Sequence, residues 1–503
     1  MKEISLMSIK RSTNCIVHGS VDIISPIDLI IDTPQFQRLR NVGQVAFAER
    51  VYAGANHNRF THSLGTYHLV FKFAKELHKI HRDKFNATDI LCLAIAALIH
   101  DLGHGPFSHT FDNHFIKKVF KGKVKWTHEK GTIDMWHHLL QENPKVKNEL
   151  DKYLTSTDYT FIEELIDPPK KLVQDKQWIP KGRPIEKSFL FCFVSNPIDG
   201  LDFDKLDYFV RDSCQSRVDT QFSVNSIERL LHGITIGLDR ELGFLRIAWK
   251  EKYVLDLVAA FECRTCLYDK IYTHKTVISI ETIAVQVLEL ANPYLKFEGK
   301  NGRSCTMSEA IHDMFAYEKM NDHVLTTIQN SSDPNLRPAR EMLKKLQCRQ
   351  IDTCIASLLY KTKEDANDAE AKIKSFLSRR SLKEGSEYYT RVCLMHHGLG
   401  MGRYPLQEIL IEAKNAKFRR LPKSKAESYT TNGRAKVLVY LRMGVDLPGL
   451  KEAMEDFIAI DLEKSMETKS EETSDSGIST GSAKRGPDSQ PEEAMVKRFR
   501  SNL

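Results

Sequence analysis

No stretch of this chain is both apolar and long enough to cross a bilayer. The longest uncharged apolar run, Ile90 to Ile99, falls well short of the roughly 20 residues a membrane helix needs. It reads as a buried helix, so no membrane partner is expected and a soluble protein is. The N-terminus lacks the apolar segment of a secretory signal. Charge of one sign is not in excess either. A formal +7 over 503 residues is compatible with a polyanionic ligand without requiring one, because most basic residues simply solvate a surface. The 10 cysteines are scattered with no even framework, which argues against a disulfide scaffold and for a reduced intracellular setting. A single CxxC, Cys263 and Cys266, has no second pair at zinc-site spacing and reads as ordinary core thiols.

What is present is mainly helical. Thr33-Pro34 supplies an N-cap and a proline at the first helical position, and Phe36, Leu39 and Val42 recur as one apolar face. Tyr67, Val70, Phe71, Ala74 and Leu77 mark a second helix. Thr88 to Asp101 predict a third, apolar nearly all round and stopped by Gly103 and Gly105-Pro106. Residues 115 to 190 look less regular, with lysines and the Pro168-Pro169 pair. Helical patterning returns over 202–213 and 253–290, while Leu245 to Trp249 and Lys436 to Leu441 alternate as strands. The region 300–462 is therefore expected to mix α and β. From residue 463 the composition turns to serine, threonine, glutamate, glycine and proline, as in a disordered tail. Within it, Lys484-Arg485 and Lys497-Arg498-Phe499-Arg500 fit a bipartite nuclear import signal or a plain charged tail. Asp475-Ser476-Gly477 is a candidate phosphorylation site.

The chemistry centres on His100-Asp101, at the end of the most hydrophobic helix. An unpaired aspartate there costs several kcal/mol, on the order of 3–5, and a bound cation removes that cost. A second histidine, His62, precedes another helix, and the acidic cluster Asp202, Asp204, Asp207 and Tyr208 follows further along. Two imidazoles and two carboxylates suit Fe, Mn, Mg, Zn or Co and leave room for water. His104, His109, Asp112, His128 and Glu129 crowd the same part of the sequence. Singly each histidine reads as a residue bonded to a backbone carbonyl as readily as a functional one; together the group suggests proton transfer and phosphate neutralisation.

The spacing H…HD…D resembles the HD phosphohydrolase superfamily. The strings IDTPQFQRLR (31–40), HNRFTHSLG (57–65), HDLGHGPFSH (100–109), KWTHE (125–129) and DFDKLDYFVRD (202–212) are similar to those of the SAM-and-HD-domain deoxynucleoside triphosphate triphosphohydrolases. That resemblance implies a mainly α protein. It would comprise an N-terminal activator-site segment (1–56), a helical HD core (57–215), a mixed α+β regulatory and oligomerisation lobe (216–462) and a disordered tail (463–503). The chain begins almost at the HD domain, so the family's SAM domain is not expected here.

The resemblance implies His62, His100, Asp101 and Asp204 as ligands of a divalent metal, with Fe, Mn, Zn and Mg all open. Arg59 would meet the triphosphate of a dNTP, with His104 and His109 near the α-phosphorus. His109 with Asp112 would donate a proton to the departing 5′ oxygen, supported by His128 and Glu129. Lys205 would add charge at the phosphates, Tyr208 and Asp212 would contact the sugar, Gln44 and Val45 would check the 3′-hydroxyl, and Arg264 and Tyr272 would complete the pocket. GTP and dNTP are implied as activators, acting through assembly of dimers into tetramers. The first activator site would use Arg11, Asp32, Gln37 and Arg40, with Arg340 and Lys344 from a neighbouring subunit. The second would use Asn14, Val51, Lys250, Lys252, His274 and Lys275. Departures from the family pattern fall at Arg11, Val45, Ser226, Asp256, Tyr268 and Thr273. They weigh on the effector preference and leave the catalytic set intact. Lowered dNTP pools, an antiviral role and a nuclear location, otherwise cytoplasmic, complete the expectation.

Three rivals stay open at this level, one of them nuclease activity on single-stranded substrate. Another HD phosphohydrolase, a nucleotidase or phosphodiesterase, would use the same His-Asp ligands. A non-catalytic protein binding single-stranded nucleic acid would use Lys414, Lys417, Arg419, Arg420, Lys423 and Lys425, although little aromatic interleaving accompanies that run.

Overall fold

Asn58 closes an extended stretch, and its side chain accepts the backbone N–H of Thr61 at 3.1 Å, satisfying one of the orphan donors at a helix start. The helix it opens, α1 (Arg59–Ile80), is buried along most of its length. Helix α2 (Ala87–Ile99) begins with a reciprocal box: Asn86 accepts from the Asp89 N–H and Asp89 accepts from the Asn86 N–H. Every residue from Asp89 to Ile99 is buried, so α2 sits in the middle of the core as its sequence predicts. The computed structural model describes residues 8–396, 398–401, 403–429 and 433–459. They fall into two units, one ending at Val445 and one beginning at Asp446.

The larger unit is mainly helical. α1 and α4 (Ser156–Ile166) pack on α2, while α3 (His128–Glu142) packs on α4 and α5 (Phe203–Ser216) on α1. The expectation of an irregular stretch over 115–190 is thus corrected. Met135, Trp136 and Leu139 on α3, and Phe161, Ile162 and Leu165 on α4, are buried at helical spacing; the polar residues between them hide that pattern, and Pro168-Pro169 lies beyond the end of α4. A second correction concerns Phe36, Leu39 and Val42. All are fully buried, but the helix Pro34–Gln37 passes into a 3-10 turn over Arg38–Asn41, and Val42 is extended. Spacing three is the period of a 3-10 helix as well as half of an α pattern.

The helical patterning over 253–290 is carried by α6 (Val254–Leu267), a π turn (Tyr268–Tyr272) and α7 (Lys275–Ala291). An N-terminal ribbon, β1 (Ile9–Cys15) against β2 (Gly19–Ile24), is antiparallel. Strands β3 (Ile234–Asp239) and β4 (Phe244–Lys250) pair antiparallel. Beyond α8 (Arg337–Gln347) come β5 (Thr353–Tyr360), α9 (Lys363–Arg379), β6 (Tyr388–Met395), β7 (Leu410–Glu412), β8 (Phe418–Arg420) and β9 (Arg434–Leu441). One sheet runs β8-β7-β4-β3, with β7 and β4 parallel, and another runs β6-β9-β5, all antiparallel. The mixed α and β character expected after residue 300 is present, and both predicted strands fall within β4 and β9. In the smaller unit, residues 450–459 are helical. The expected tail from residue 463, with its basic clusters and serine site, lies outside the described residues.

Candidate metal centre and catalytic cavity

Three helix ends meet at one point. His62 lies in the first turn of α1, His100 is the C-cap of α2, and Asp204 lies in the first turn of α5, where the helix N-terminus favours a carboxylate. One ligand atom from each lies within 4.8 Å of the others. Asp204 Oδ1 is 2.9 Å from His62 Nε2 and 3.4 Å from His100 Nε2. Asp101 Oδ2 is 3.5 Å from both imidazoles. It also accepts from Arg59 at 2.7 Å.

The imidazoles are oriented from behind. His100 Nδ1 donates to the Ala97 carbonyl at 2.9 Å, which turns Nε2 inward, and that buried Nε2 has no hydrogen-bond partner. His62 Nδ1 donates to Asp207 Oδ2 at 2.7 Å. Asp207 in turn accepts two bonds from Arg211, at 2.7 and 2.9 Å, and faces His18 Nε2 at 2.6 Å. Such carboxylate–histidine pairs fix the tautomer of metal-binding imidazoles. Burial disfavours a charged His62, yet its bonds to Asp204 and Asp207 prevail and raise it to about 10. Burial likewise opposes ionisation of Asp204, but the two imidazoles hold it well below the usual carboxylate range. A divalent cation bound there would displace the protons shared between imidazole and carboxylate. The inward Nε2 of His100 and the mixed N/O donor set fit such an ion.

A second cluster lies alongside. His104, His109, Asp112 and His128 also bring ligand-type atoms within 4.8 Å of one another. Asp112 Oδ2 accepts from His128 Nδ1 at 2.8 Å, and Asp112 Oδ1 lies 3.6 Å from His109 Nδ1. Glu129 lies 3.4 Å from His128 Nε2. The rings of His104 and His128 stack at 4.1 Å, yet their protonation diverges. Burial, followed by the charges of Arg59 and His128, pushes His104 well below the ordinary histidine value. His128 is raised despite its burial, because Asp112 and Glu129 attract its charge. Neighbouring groups with opposed shifts are the signature of an acid–base pair. His109 is the exposed member, at 57% of its side chain.

The loop carrying these groups is strained. Phe107 and Ser108 both adopt the left-handed region, at φ 60° and 53°. The loop is pinned there by Phe107 N–H to Asp322 at 2.6 Å, Ser108 Oγ to the Gly43 carbonyl at 2.7 Å, and Arg59 Nε to Ser108 Oγ at 2.9 Å.

Both clusters open on one cavity of about 610 Å³. Gln44, Val45, Arg59, His100, Asp101, His104, His109, His128, Glu129, Asp204, Lys205, Tyr208, Asp212, Arg264 and Tyr272 all line it; His62 and Asp112 stand in the second rank behind. Lys205 pairs with Asp202 at 2.7 Å. Tyr272 donates to Asp212 at 2.5 Å, and Arg264 lies over the Tyr268 ring and donates to the His396 carbonyl. The π turn sets Tyr268 and Tyr272 against the cavity. The sequence reading did not assign Asp207, Arg211, His18, His57, His114 or Glu281. The last two line the cavity beside Thr110, which donates to Glu281 at 2.6 Å.

Of the residues expected at effector sites, Arg11, Asn14, Asp32, Gln37 and Arg40 line a second cavity of about 800 Å³. There Arg11 grips Asp32 through bonds of 2.8 and 2.6 Å, and Arg40 donates to Gln37 at 2.7 Å. Arg340 and Lys344 stand on α8 and do not line that cavity. Lys250 and Lys252 line a separate hollow with Lys414, while His274 faces Tyr52, next to Val51, and Lys275 begins α7. Within one chain the second expected set is therefore dispersed. Cys263 is buried in the core, as read, whereas Cys266 is only half-buried against it.

The HD domain family model matches residues 59–160, from Arg59 through the histidines of both clusters. The chain is similar to the deoxynucleoside triphosphate triphosphohydrolase SAMHD1 of Danio rerio, 37% identical over 355 residues, covering 70% of this chain and 56% of that protein. The Homo sapiens protein of the same name is 38% identical over 339 residues, covering 67% of this chain and 53% of its own. A Dictyostelium discoideum homolog is 30% identical over 351 residues, covering 69% and 60%. The chain thus spans little more than half the length of the curated relatives it matches.

Proposed function

We propose that the chain is a metal-dependent dNTP triphosphohydrolase, converting a dNTP and water to deoxynucleoside and inorganic triphosphate. One observation carries the reading: the metal cradle of His62, His100 and Asp204, the His104–His128–Asp112 relay and the cations Arg59 and Lys205 all serve one cavity. The names of the similar proteins point to the same reaction. A divalent cation held by His62, His100, Asp101 and Asp204 supplies Lewis acidity toward phosphate oxygens when bound. Arg59 and Lys205 neutralise the polyanion. His109, backed by Asp112, gives a proton to the 5′ oxygen as its bond to the α-phosphorus breaks. The Tyr272–Asp212 pair receives the sugar.

Activation by GTP and dNTP is part of the same proposal. The cavity lined by Arg11, Asp32, Gln37 and Arg40 offers a carboxylate and guanidinium groups to a purine nucleotide. The dispersal of Lys250, Lys252, His274 and Lys275 over one chain suits sites completed in a dimer or tetramer. Depletion of dNTP pools, with its antiviral consequence, and a nuclear location extend the proposal to the cell. Product analysis tests its core: dNTP incubated with pure protein and Mn or Mg should yield intact triphosphate and deoxynucleoside. Pyrophosphate plus monophosphate would instead establish a different HD phosphohydrolase.

A further inference from the structure

Two loops that line the substrate cavity carry three non-glycine residues in the left-handed region: Ala46 at φ 47°, Phe107 at 60° and Ser108 at 53°. Such backbone persists only where its surroundings hold it. One residue from far along the chain ties both loops. Asp322 accepts the Phe107 N–H on Oδ1 at 2.6 Å and the Gly43 N–H on Oδ2 at 2.8 Å. Its own N–H donates to the Asn41 carbonyl at 3.0 Å, so the carboxylate is anchored beside the first loop. Asp322 stands outside the substrate cavity, in a hollow of about 310 Å³ that it lines with Gly43 and Phe107. On the substrate side, Gln44 and Ser108 line the cavity. Arg59 donates to both loops there, to Ser108 Oγ at 2.9 Å and to the Gln44 carbonyl at 3.2 Å. The rings of Phe47 and Phe107 stack between the loops at 4.7 Å.

We propose that Asp322 is a positioning residue for the substrate: its carboxylate, with one oxygen on each loop, holds Gln44 toward the sugar hydroxyl and Ser108 against Arg59. Arg59 faces the phosphates in the reading above, so one distant side chain sets the phosphate and sugar contacts relative to each other. Bonds from an ionised carboxylate to N–H groups are among the stronger ones. A misplacement of about 1 Å at such contacts costs on the order of 100-fold in rate. A neutral amide does not replace this carboxylate. Asparagine has one acceptor oxygen, and its NH2 would face the second backbone N–H, donor against donor. One loop is released whichever way that amide turns. The inference rests on the hydrolase reading given above.

The test uses the full chain with Mn and GTP and compares dCTP with 2′,3′-dideoxy-CTP, which lacks the hydroxyl that Gln44 is expected to meet. The variants are Asp322→Ala, Asp322→Asn and Asp313→Ala. Asp313 caps the helix Met314–Tyr317 in the same segment and bonds to neither loop, so its loss loosens the segment alone. Thermal melting reports folding. Wild type should favour dCTP over the dideoxy analogue. Asp322→Ala should lower kcat/KM for dCTP about 100-fold and for the analogue far less, so that the preference collapses. Asp322→Asn, which keeps one bond, should fall between. Asp313→Ala should keep the wild-type preference whatever its Tm. A wild type blind to the hydroxyl, equal losses on both substrates in Asp322→Ala, or the same collapse in Asp313→Ala would each overturn the proposal. Should Asp322→Ala fail to fold, Asp322→Asn carries the comparison: a narrowed preference supports the proposal and an unchanged one sinks it. If wild-type protein releases no triphosphate, the hydrolase reading falls. The melting shift given by each nucleotide then reads the loops. A larger shift with dCTP that Asp322→Ala erases supports the positioning role, and equal shifts in wild type defeat it.

Discussion

Asp207 holds His62 from behind at 2.7 Å while its remaining bonding capacity is taken up by Arg211 and His18. The consequence for Asp207→Asn is twofold. The amide can no longer enforce the Nδ1–H tautomer of His62, so metal affinity should fall roughly 10- to 100-fold. Arg211, 1% exposed at its side chain, is left with a buried charge, which costs about 3 kcal/mol or more. Metal titration followed by activity, alongside thermal melting, measures both. Wild-type metal affinity in this variant would remove Asp207 from the site.

Removal of the cation should inactivate and destabilise the protein together. Three imidazole and carboxylate side chains within 4.8 Å of one another share protons only until a cation takes their place. Exhaustive chelation should abolish turnover and lower Tm, and Mn or Fe should restore both. His100→Ala should show the low Tm with or without chelator. Metal analysis of the purified protein should give close to one ion per chain. Full activity after verified loss of all metal is the outcome that defeats the assignment.

Much of this centre is legible along the chain, because its ligands fall at helix ends that announce themselves. Asn58 caps α1 four positions before His62, Asp202 caps α5 just before Asp204, and His100 ends the most apolar helix of all. What stays hidden is contributed from far away. His18 reaches Asp207 across 189 positions of sequence and His57 reaches Asp212 across 155, and no local period encodes either pairing. The helices over 115–190 were obscured for a different reason. Their outward faces carry polar residues such as His137, Gln141, Glu163 and Glu164 and prolines follow them, so mean polarity masks the burial of Trp136 and Phe161. The spacing of Phe36, Leu39 and Val42 was read correctly as a buried face and wrongly as α, since a 3-10 turn places every third residue on one side.

Gly103 gives the sharpest steric prediction. A Cβ there would lie 2.0 Å from the Thr132 backbone nitrogen and 2.4 Å from the His128 carbonyl oxygen, both part of α3 and its hydrogen-bonded turn. Backbone cannot rotate away as a side-chain tip does. Thr132 also ties α3 to the metal-bearing loop, accepting from Gly103 N–H and donating to the His100 carbonyl, both at 2.9 Å. Gly103→Ala should therefore cost about 3 kcal/mol and separate the two histidine clusters. A denaturant melt reads the first effect and kcat the second. A variant with unchanged stability would mean that α3 does not pack on this loop.

The His128–Asp112 pair predicts the pH profile. His128 is raised, its burial outweighed by the 2.8 Å bond to Asp112 and the charge of Glu129, and Asp112 is lowered by His109 and His128 in spite of its own burial. The stability due to a raised histidine is complete below its unfolded value, about 6.5, and is lost as pH rises through the folded value. The stability due to a lowered carboxyl is complete above about 3.9, and is lost as pH falls through its depressed folded value. Both are therefore at full strength between roughly pH 4 and 6.5, and the difference in Tm between wild type and Asp112→Asn should peak there and shrink in alkali. For catalysis the sign is the same. The charge of His128 supports the cluster, so kcat should fall on an alkaline limb placed above the ordinary histidine value as His128 loses its proton. Asp112→Asn removes the attraction that sustains the charge and should move that limb toward lower pH, besides lowering its plateau through loss of support to His109. A limb left in place by Asp112→Asn would show that the charge on His128 does not set the alkaline limb.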